Sequence, residues 1–458
     1  MKTVLSILLV GFSFCSLKAQ DTIREITLDQ YLAQLREHHP VALIAANNVS
    51  QAEQIVRMSK GAFDPMLFGG IDQKYYEGKT YYSTINSGLK IPTRLGWDFK
   101  VMGDWNRGTY LNAEQVVPED GLTYVGVDIP IGRGMFTDER RTQLKRAGVA
   151  YNQSILERQL ALNDLLYEAG QQFIYWQEQY MQLQLAEEGF RFAQLRYEQS
   201  KANAAIGERA SIDTVEASAQ LYLRQLDIFQ RRLNVQNARL GVENYMWEQG
   251  KIPLRLDTIV VPAPLALEAP SLNLNDSVQN HPVLQWYGLK TRDLQLERKL
   301  KLEQLKPQFN VQYNLLQTPQ DLVSFNYSIN NYKWGATMYM PILLRKERSS
   351  LQITNIKLEN VALEQAQKQR DLSTKQQQVR NELLTVNDQA NTAFTIAQRY
   401  RQLAEAERQL FELGESSLFL INAREISYLS AQGKYLEFLA KNQKALLSEK
   451  FVLGILGY

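Results

Sequence analysis

Two spacings of apolar residues alternate along the chain. Leu162, Leu166, Ala169, Phe173, Trp176, Tyr180 and Leu183 recur in steps of three and four, which predicts a helix with one narrow apolar seam. Val379, Leu383, Val386, Ala390, Ala393, Ala397, Tyr400 and Ala404 repeat the spacing in the second half. Each seam lies in a segment of about 65 to 70 residues that reads as one helix, roughly 100 Å long at 1.5 Å per residue. Such helices build an elongated, coiled-coil-like wall rather than a globular core. Taken alone they fit a helical spacer as well as a tube.

Between the helices the period drops to two. Phe309, Val311, Tyr313 and Leu315 alternate with Asn310, Gln312 and Asn314, the pattern of a strand with one apolar and one polar face. Thr123, Val125, Val127 and Ile129 alternate with Leu122, Tyr124, Gly126 and Asp128, and Trp334, Ala336, Met338 and Met340 with Gly335, Thr337 and Tyr339. Further strands are predicted at 81–91 and at 95–105, where Leu95, Trp97, Phe99, Val101 and Trp105 oppose Asp98, Lys100 and Asp104. A water-soluble sheet packed on a helix gives this alternation too. The neighbouring helices, however, spend their seams on each other, so lipid is the simplest partner for Phe309, Val311, Tyr313 and Leu315. The smallest membrane barrels use about eight strands. Several copies of the chain must therefore contribute to one barrel.

An internal repeat organises these elements. HHPVALIAANN (38–48) is matched by NHPVLQWYGLK (280–290), and the offset of 242 residues from His39 to His281 recurs from Pro65 to Pro307. YVGVDIPIGRG (124–134) likewise answers WGATMYMPILLRK (334–346). The proline-rich stretch 251–275 separates the halves as a linker with room for one or two short strands.

Composition narrows the function classes. A formal net charge of +2 on 458 residues gives no support for binding nucleic acid. MKTVLSILLVGFSFCSLKAQ (1–20) has Lys2 before an apolar run and small residues up to Ala19, the pattern of a secretory signal peptide cleaved after Ala19. Cys15, the single cysteine, falls inside it, so the exported chain is expected to have no disulfide and no thiol ligand. No later run of 18 apolar residues offers a membrane helix. Only His38, His39 and His281 are histidines, and P-loop, G-x-S-x-G and H-E-x-x-H signatures are missing. No catalytic residue, metal ligand or cofactor is expected.

Taken in order over the whole exported chain, these features resemble the TolC-like outer-membrane efflux proteins. The resemblance rests on the His-Pro and FDP (63–65) motifs, the strand-to-helix junctions IPIGRG (129–134) and MPILL (340–344), and two hairpin tips. YEQSKANAAIGERASIDTVEA (197–217) supplies Gly207, Ser211 and Asp213; FELGESSLFLINA (411–423) supplies Glu412, Gly414, Glu415, Ser417 and Asn422. These tip residues serve as turn formers, as adaptor contacts or as a gate. Pro65, Pro130, Pro307 and Pro341 mark the strand-helix junctions. The resemblance implies a mainly α chain with a membrane β region and a two-fold repeat. Three copies form a β-barrel in the outer membrane, continued by a long periplasmic α-helical coiled-coil barrel. It also implies a homotrimer that meets a periplasmic membrane-fusion adaptor, an inner-membrane pump and outer-membrane lipid, in tripartite efflux or type I secretion. Its regions are a signal peptide (1–19), N-terminal helices (20–63), a first β-barrel region with an extra hairpin (64–131) and a first long helical hairpin (132–250). After the linker come an N-terminal helix (276–306), a second β-barrel region (307–341) and a second long hairpin (342–458).

Two departures accompany the resemblance. Pro65 and Pro130 lie 65 residues apart against 34 for Pro307 and Pro341, so the first β region has room for four strands where the family usually has two. They enlarge the barrel, extend a hairpin beyond it or cover its mouth. No Asp follows residue 388, so an acidic ring at the entrance must use Glu412 or Glu415. The basic clusters DERRTQLKR (138–146) and RKER (345–348) stand where each β region meets its long helix, as a collar or as a solvated helix start. A periplasmic coiled-coil scaffold or adaptor without a pore is the competing reading.

Overall fold

Prolines and caps set the boundaries of the first helices. Thr27 and Gln30 form a capping box. His39 and His281 hold extended backbone ahead of Pro40 and Pro282, the first residues of their helices, as a residue before proline favours. The computed structural model describes residues 24–208, 210–257, 259–269, 280–319 and 327–457. The predicted signal peptide and part of the linker lie outside them.

In chain order the elements are Arg24–Ile26 (β1), Leu28–His38 (α1), Pro40–Lys60 (α2), Met66–Tyr76 (β2), Lys79–Pro92 (β3), Asp98–Arg107 (β4), Leu122–Gly132 (β5), Glu139–Ala205 (α3) and Ser211–Glu243 (α4). Trp247–Glu248 (β6), Ile252–Pro253 (β7), Val260–Pro262 (β8), Pro282–Glu303 (α5), Gln308–Gln317 (β9), Tyr332–Tyr339 (β10), Arg345–Glu412 (α6) and Leu418–Val452 (α7) follow. α3 has 67 residues and α6 has 68. Among the described residues no helix is long and apolar enough to cross a membrane.

The described residues fall into two units, one of 24–40, 166–269 and 382–447, the other of 41–165, 280–381 and 448–457. In the first unit Phe173 stacks on Tyr31 at 5.0 Å between ring centres and meets Trp176 edge-on at 5.7 Å. The Tyr31 hydroxyl donates to the Val242 carbonyl at 3.2 Å, which satisfies its one polar atom in the core. α3 and α7 approach closely where α3 has glycine: a Cβ on Gly170 would stand 2.6 Å from Leu447, and one on Gly189 2.8 Å from Leu429. β1 pairs in parallel with β8 in this unit.

In the second unit one antiparallel sheet runs in the order β10-β9-β5-β4-β3-β2. It is open, with β10 and β2 at its edges. Arg146 of α3 grips Asp293 of α5 with two bonds of 2.8 Å. His281 accepts the Val283 N–H on Nδ1 at 3.1 Å, which needs the neutral ring. Burial, helped by Lys368, pushes its pKa down to about 4.

Two expectations need adjustment. The strand predicted at 95–105 begins at Asp98, because Gly96 takes a left-handed φ of 94° in a turn that closes with Gly96 N–H on the Thr93 carbonyl. In the second seam Val379, Leu383, Val386, Ala390, Ala393, Ala397 and Ala404 are buried, but Tyr400 is exposed.

Candidate channel wall and helical tips

Paired residues in a sheet point to the same side, so the register fixes its two faces. On one side a row runs Tyr332, Leu315, Val125, Val101, Leu89, Leu67 across all six strands. The next row is Trp334, Tyr313, Val127, Phe99, Ile91. Phe309 and Val311 extend the same face beside Ile131 and Ile129, so the four residues expected to meet lipid share it. Phe309 and Tyr313 are exposed, while Val311 and Leu315 are half-buried between their neighbours.

The other side carries the ion pairs of the sheet, beside a row of Leu316, Tyr124, Met102 and Phe68. Lys100 forms an ion pair with Asp128 at 2.8 Å and donates to the Gln312 side-chain oxygen at 3.3 Å. Asp98 pairs with Lys90 at 3.1 Å and accepts from Arg140 at 2.9 Å, and Asn86 donates to Asp104 at 2.8 Å. Close packing on this face excludes side chains at some positions: a Cβ on Gly126 would stand 1.9 Å from the Asn314 amide oxygen. A cleft of about 550 Å³ opens where this face meets the helix start, lined by Asp98, Asp128, Arg133, Glu139, Arg140 and Gln312 among others.

The junction prolines occupy three kinds of place. Pro65 and Pro307 directly precede β2 and β9, Pro341 follows β10, and Pro130 sits inside β5. Pro130 is tolerated there because β4 pairs with β5 only as far as Asp98 with Asp128, which leaves no ladder partner on that side. The three arginines of the basic cluster 138–146 are engaged rather than free. Arg140 reaches Asp98, Arg146 reaches α5, and Arg141 forms an ion pair with Asp138 at 3.2 Å and donates to the Met135 carbonyl at 3.1 Å.

The two tips share one device. At the α3–α4 tip Gly207 has φ 79°, its N–H reaches the Ala204 carbonyl, and the Glu208 N–H reaches Asn203. At the α6–α7 tip Gly414 has φ 79°, with Gly414 N–H on Phe411 and Glu415 N–H on Leu410. Both are Schellman turns, in which glycine takes the left-handed position. They differ in how the return helix opens. Ser417 caps α7, its hydroxyl accepting the Leu420 N–H at 3.3 Å over a small core of Phe411, Leu418 and Ile421. α4 is preceded by Ala210, with no side-chain cap, and Ser211 and Asp213 lie in its first turn. Gly207, Ser211, Glu412, Gly414, Glu415 and Ser417 are exposed, Asp213 is half-buried and Asn422 is buried.

Behind the tips lies a polar network that reaches all four helices. Arg196 of α3 donates to Asn422 and Glu425 of α7. Arg408 of α6 lies 3.8 Å from Glu425, and the Asn422 amide donates to Glu216 of α4 at 3.4 Å. The Arg196 and Glu425 side chains are 8% and 6% exposed, so this ion pair is taken out of water. Of the network only Asn422 was picked out by sequence motifs. The overlooked signal is positional: the buried α3 residues Ala186, Gly189, Ala193, Arg196 and Ser200 keep the seam spacing, as do Leu418, Ile421, Glu425 and Tyr428 on α7.

α4 carries a second seam that sequence reading also passed over. Ile212, Val215, Ala219, Tyr222, Leu226, Phe229 and Leu233 follow steps of three and four, and every one is exposed.

No family model and no curated protein matches the sequence. Solved structures do match. The open state of the MtrE outer membrane channel of Neisseria gonorrhoeae aligns with a TM-score of 0.66 at 12% identity, over 93% of this chain and 88% of that one. The CmeC outer membrane channel of Campylobacter jejuni aligns at 0.62 and 11%, over 99% and 94%. CusC, described in terms of transmembrane channel formation, aligns at 0.64 and 15%, over 94% and 93%.

Proposed function

We propose that this chain, whose fold is that of the TolC-like outer-membrane channels, works as one: a passive conduit in the outer membrane, built by three copies, with helices that project into the periplasm. The observation that carries the reading is the two-faced sheet. An apolar side that continues across six strands while the opposite side holds lysine, aspartate and asparagine fits a wall between hydrocarbon and water. Phe309, Val311, Tyr313 and Leu315 then face lipid, and Lys100, Asp128 and Gln312 face the conduit. The exposed seam on α4 supports assembly, since such a seam is buried by a neighbouring helix, here from a second copy.

Conduction of this kind asks no chemistry of the chain, so it is read as a channel and not an enzyme. Energy would come from an inner-membrane pump reached through a periplasmic membrane-fusion adaptor, in tripartite efflux or type I secretion. The tips, with Gly207, Ser211, Asp213, Glu412, Gly414, Glu415, Ser417 and Asn422, are the proposed adaptor-facing or gating end. Arg196 and Glu425 hold that end in one arrangement. A periplasmic scaffold without a pore has no use for a sheet apolar on one side.

The test is extraction and reconstitution. Outer membranes of cells making the full chain are solubilised in detergent, the mass is measured, and single-channel current is recorded in planar bilayers. A trimer with discrete current steps is expected. A protein that leaves the cell envelope as a soluble monomer or dimer and carries no current would overturn the reading.

A further inference from the structure

The first β region contributes four strands and the second two, and β2 and β3 lie on the far side of β4 from the rest. We infer that β2 and β3 are part of the barrel wall, so that each copy supplies six strands and β2 of one copy pairs with β10 of the next. This rests on the channel reading. Three copies of six give eighteen strands, and three copies of four would give twelve.

Three observations carry it. The first is continuity of the faces. Leu89 and Ile91 of β3 and Leu67 and Ile71 of β2 stand on the same side as Val101 and Phe99. Leu67 and Ile71 are 83% and 74% exposed, an arrangement suited to lipid and costly in water. On the polar side Asn86–Asp104 and Lys90–Asp98 tie β3 to β4 by side chains as well as backbone. A hairpin serving as a lid over the mouth would not keep its apolar side in line with the wall.

The second is the edges. Hydrocarbon offers no water to the free N–H and C=O groups of β2 and β10, so both edges must be paired. Six strands are too few to close on themselves, because membrane barrels begin at about eight. Another copy must supply the partner. The third is direction. Every neighbouring pair in the sheet is antiparallel, and with six strands the joint from β10 to a neighbour's β2 is antiparallel too. No irregular pairing is needed at the seam between copies.

The consequence is a wide conduit. Barrel diameter grows roughly linearly with strand number, so eighteen strands give about one and a half times the width of twelve.

Cysteine pairs test the joint. Cys15 is the single cysteine and lies in the predicted signal peptide, so introduced thiols report alone. Thr337→Cys on β10 is combined in turn with Phe68→Cys, Gly70→Cys and Asp72→Cys on β2, and separately with Lys100→Cys and Met102→Cys on β4. Oxidation of the membrane-embedded protein is expected to give covalent dimers and trimers with at least one β2 pair and none with β4 pairs. Linkage through β4 pairs only would overturn the inference and leave a trimeric channel standing. Imaging the wild-type trimer along its axis avoids variants that fail to fold: eighteen strands are expected, and twelve would overturn the inference. If no trimer is extracted at all, the channel reading itself fails.

Discussion

Near the helical tips the charged side chains Arg196 and Glu425 are withdrawn from water and answered within the chain, whereas in the sheet Leu67, Ile71, Trp334 and Met338 stand exposed on one face. In the first region the polar groups are inside; in the second the apolar groups are outside. Both invert the usual rule of burial, and the inversions have different causes. An ion pair at a seam position ties helices of one copy in a fixed arrangement, while an apolar sheet face calls for a partner outside the chain, lipid in the proposed reading. The contrast separates what a single copy completes from what its surroundings must complete.

The largest expected effect comes from breaking the closed side of that contrast. Arg196→Ala leaves Glu425 buried with Arg408 as its remaining ion-pair partner, and loss of one member of a buried pair costs about 3 to 5 kcal/mol. Limited proteolysis at the tips and thermal melts should both show the loss, and Arg196→Met with Glu425→Leu together should recover much of it. On the open side, Val311→Lys puts a charge on the apolar face, at a cost of about 2 to 4 kcal/mol near the bilayer midplane. Asn310→Lys, one residue away on the polar face, should insert normally. The yield of membrane-embedded protein distinguishes the two, and equal yields would remove the assignment of faces.

The tips themselves can be compared at smaller scale. Gly207→Ala and Gly414→Ala should each cost about 1 to 2 kcal/mol, because both positions are left-handed. Ser417→Ala should cost about 1 kcal/mol by loss of its cap, and Ser211→Ala close to nothing, since its helix has no side-chain cap. Chemical denaturation of the four variants ranks them. The last effect is in pH and shows only in acid. His281 binds its proton more weakly folded, near pH 4, than unfolded, near 6.5. Its contribution to stability is therefore full above about pH 6.5 and declines as pH falls toward 4. His281→Asn, which keeps an N-cap acceptor, should flatten that part of the stability profile.

Much of this arrangement was legible because two periods dominate the sequence. The seam at Leu162, Leu166, Ala169, Phe173 and Trp176 is buried throughout, and the alternation from Phe309 to Leu315 marks a strand. β2 was harder to see because Gly69, Gly70, Asp72 and Lys74 interrupt its alternation. Its place became clear only through pairing with β3. Arg196 and Glu425 were overlooked because charge on a helix is usually solvated, and only their seam positions mark them as partners. The α4 seam from Ile212 to Leu233 was equally regular, and its exposure is what distinguishes it from the buried ones.

The open edges of β2 and β10 also bear on how the chain is made. A surface whose two sides differ joins head to tail, and such joints either curve into a ring or run on without end. Under the proposed pairing, a copy not yet in a ring is a monomer able to polymerise. Assembly by that pairing becomes a race between ring closure and fibre growth, in which local concentration decides the yield. If the proposed pairing holds, overproduction should yield aggregates before it yields membrane-embedded trimers, as fractionation of the cells would show.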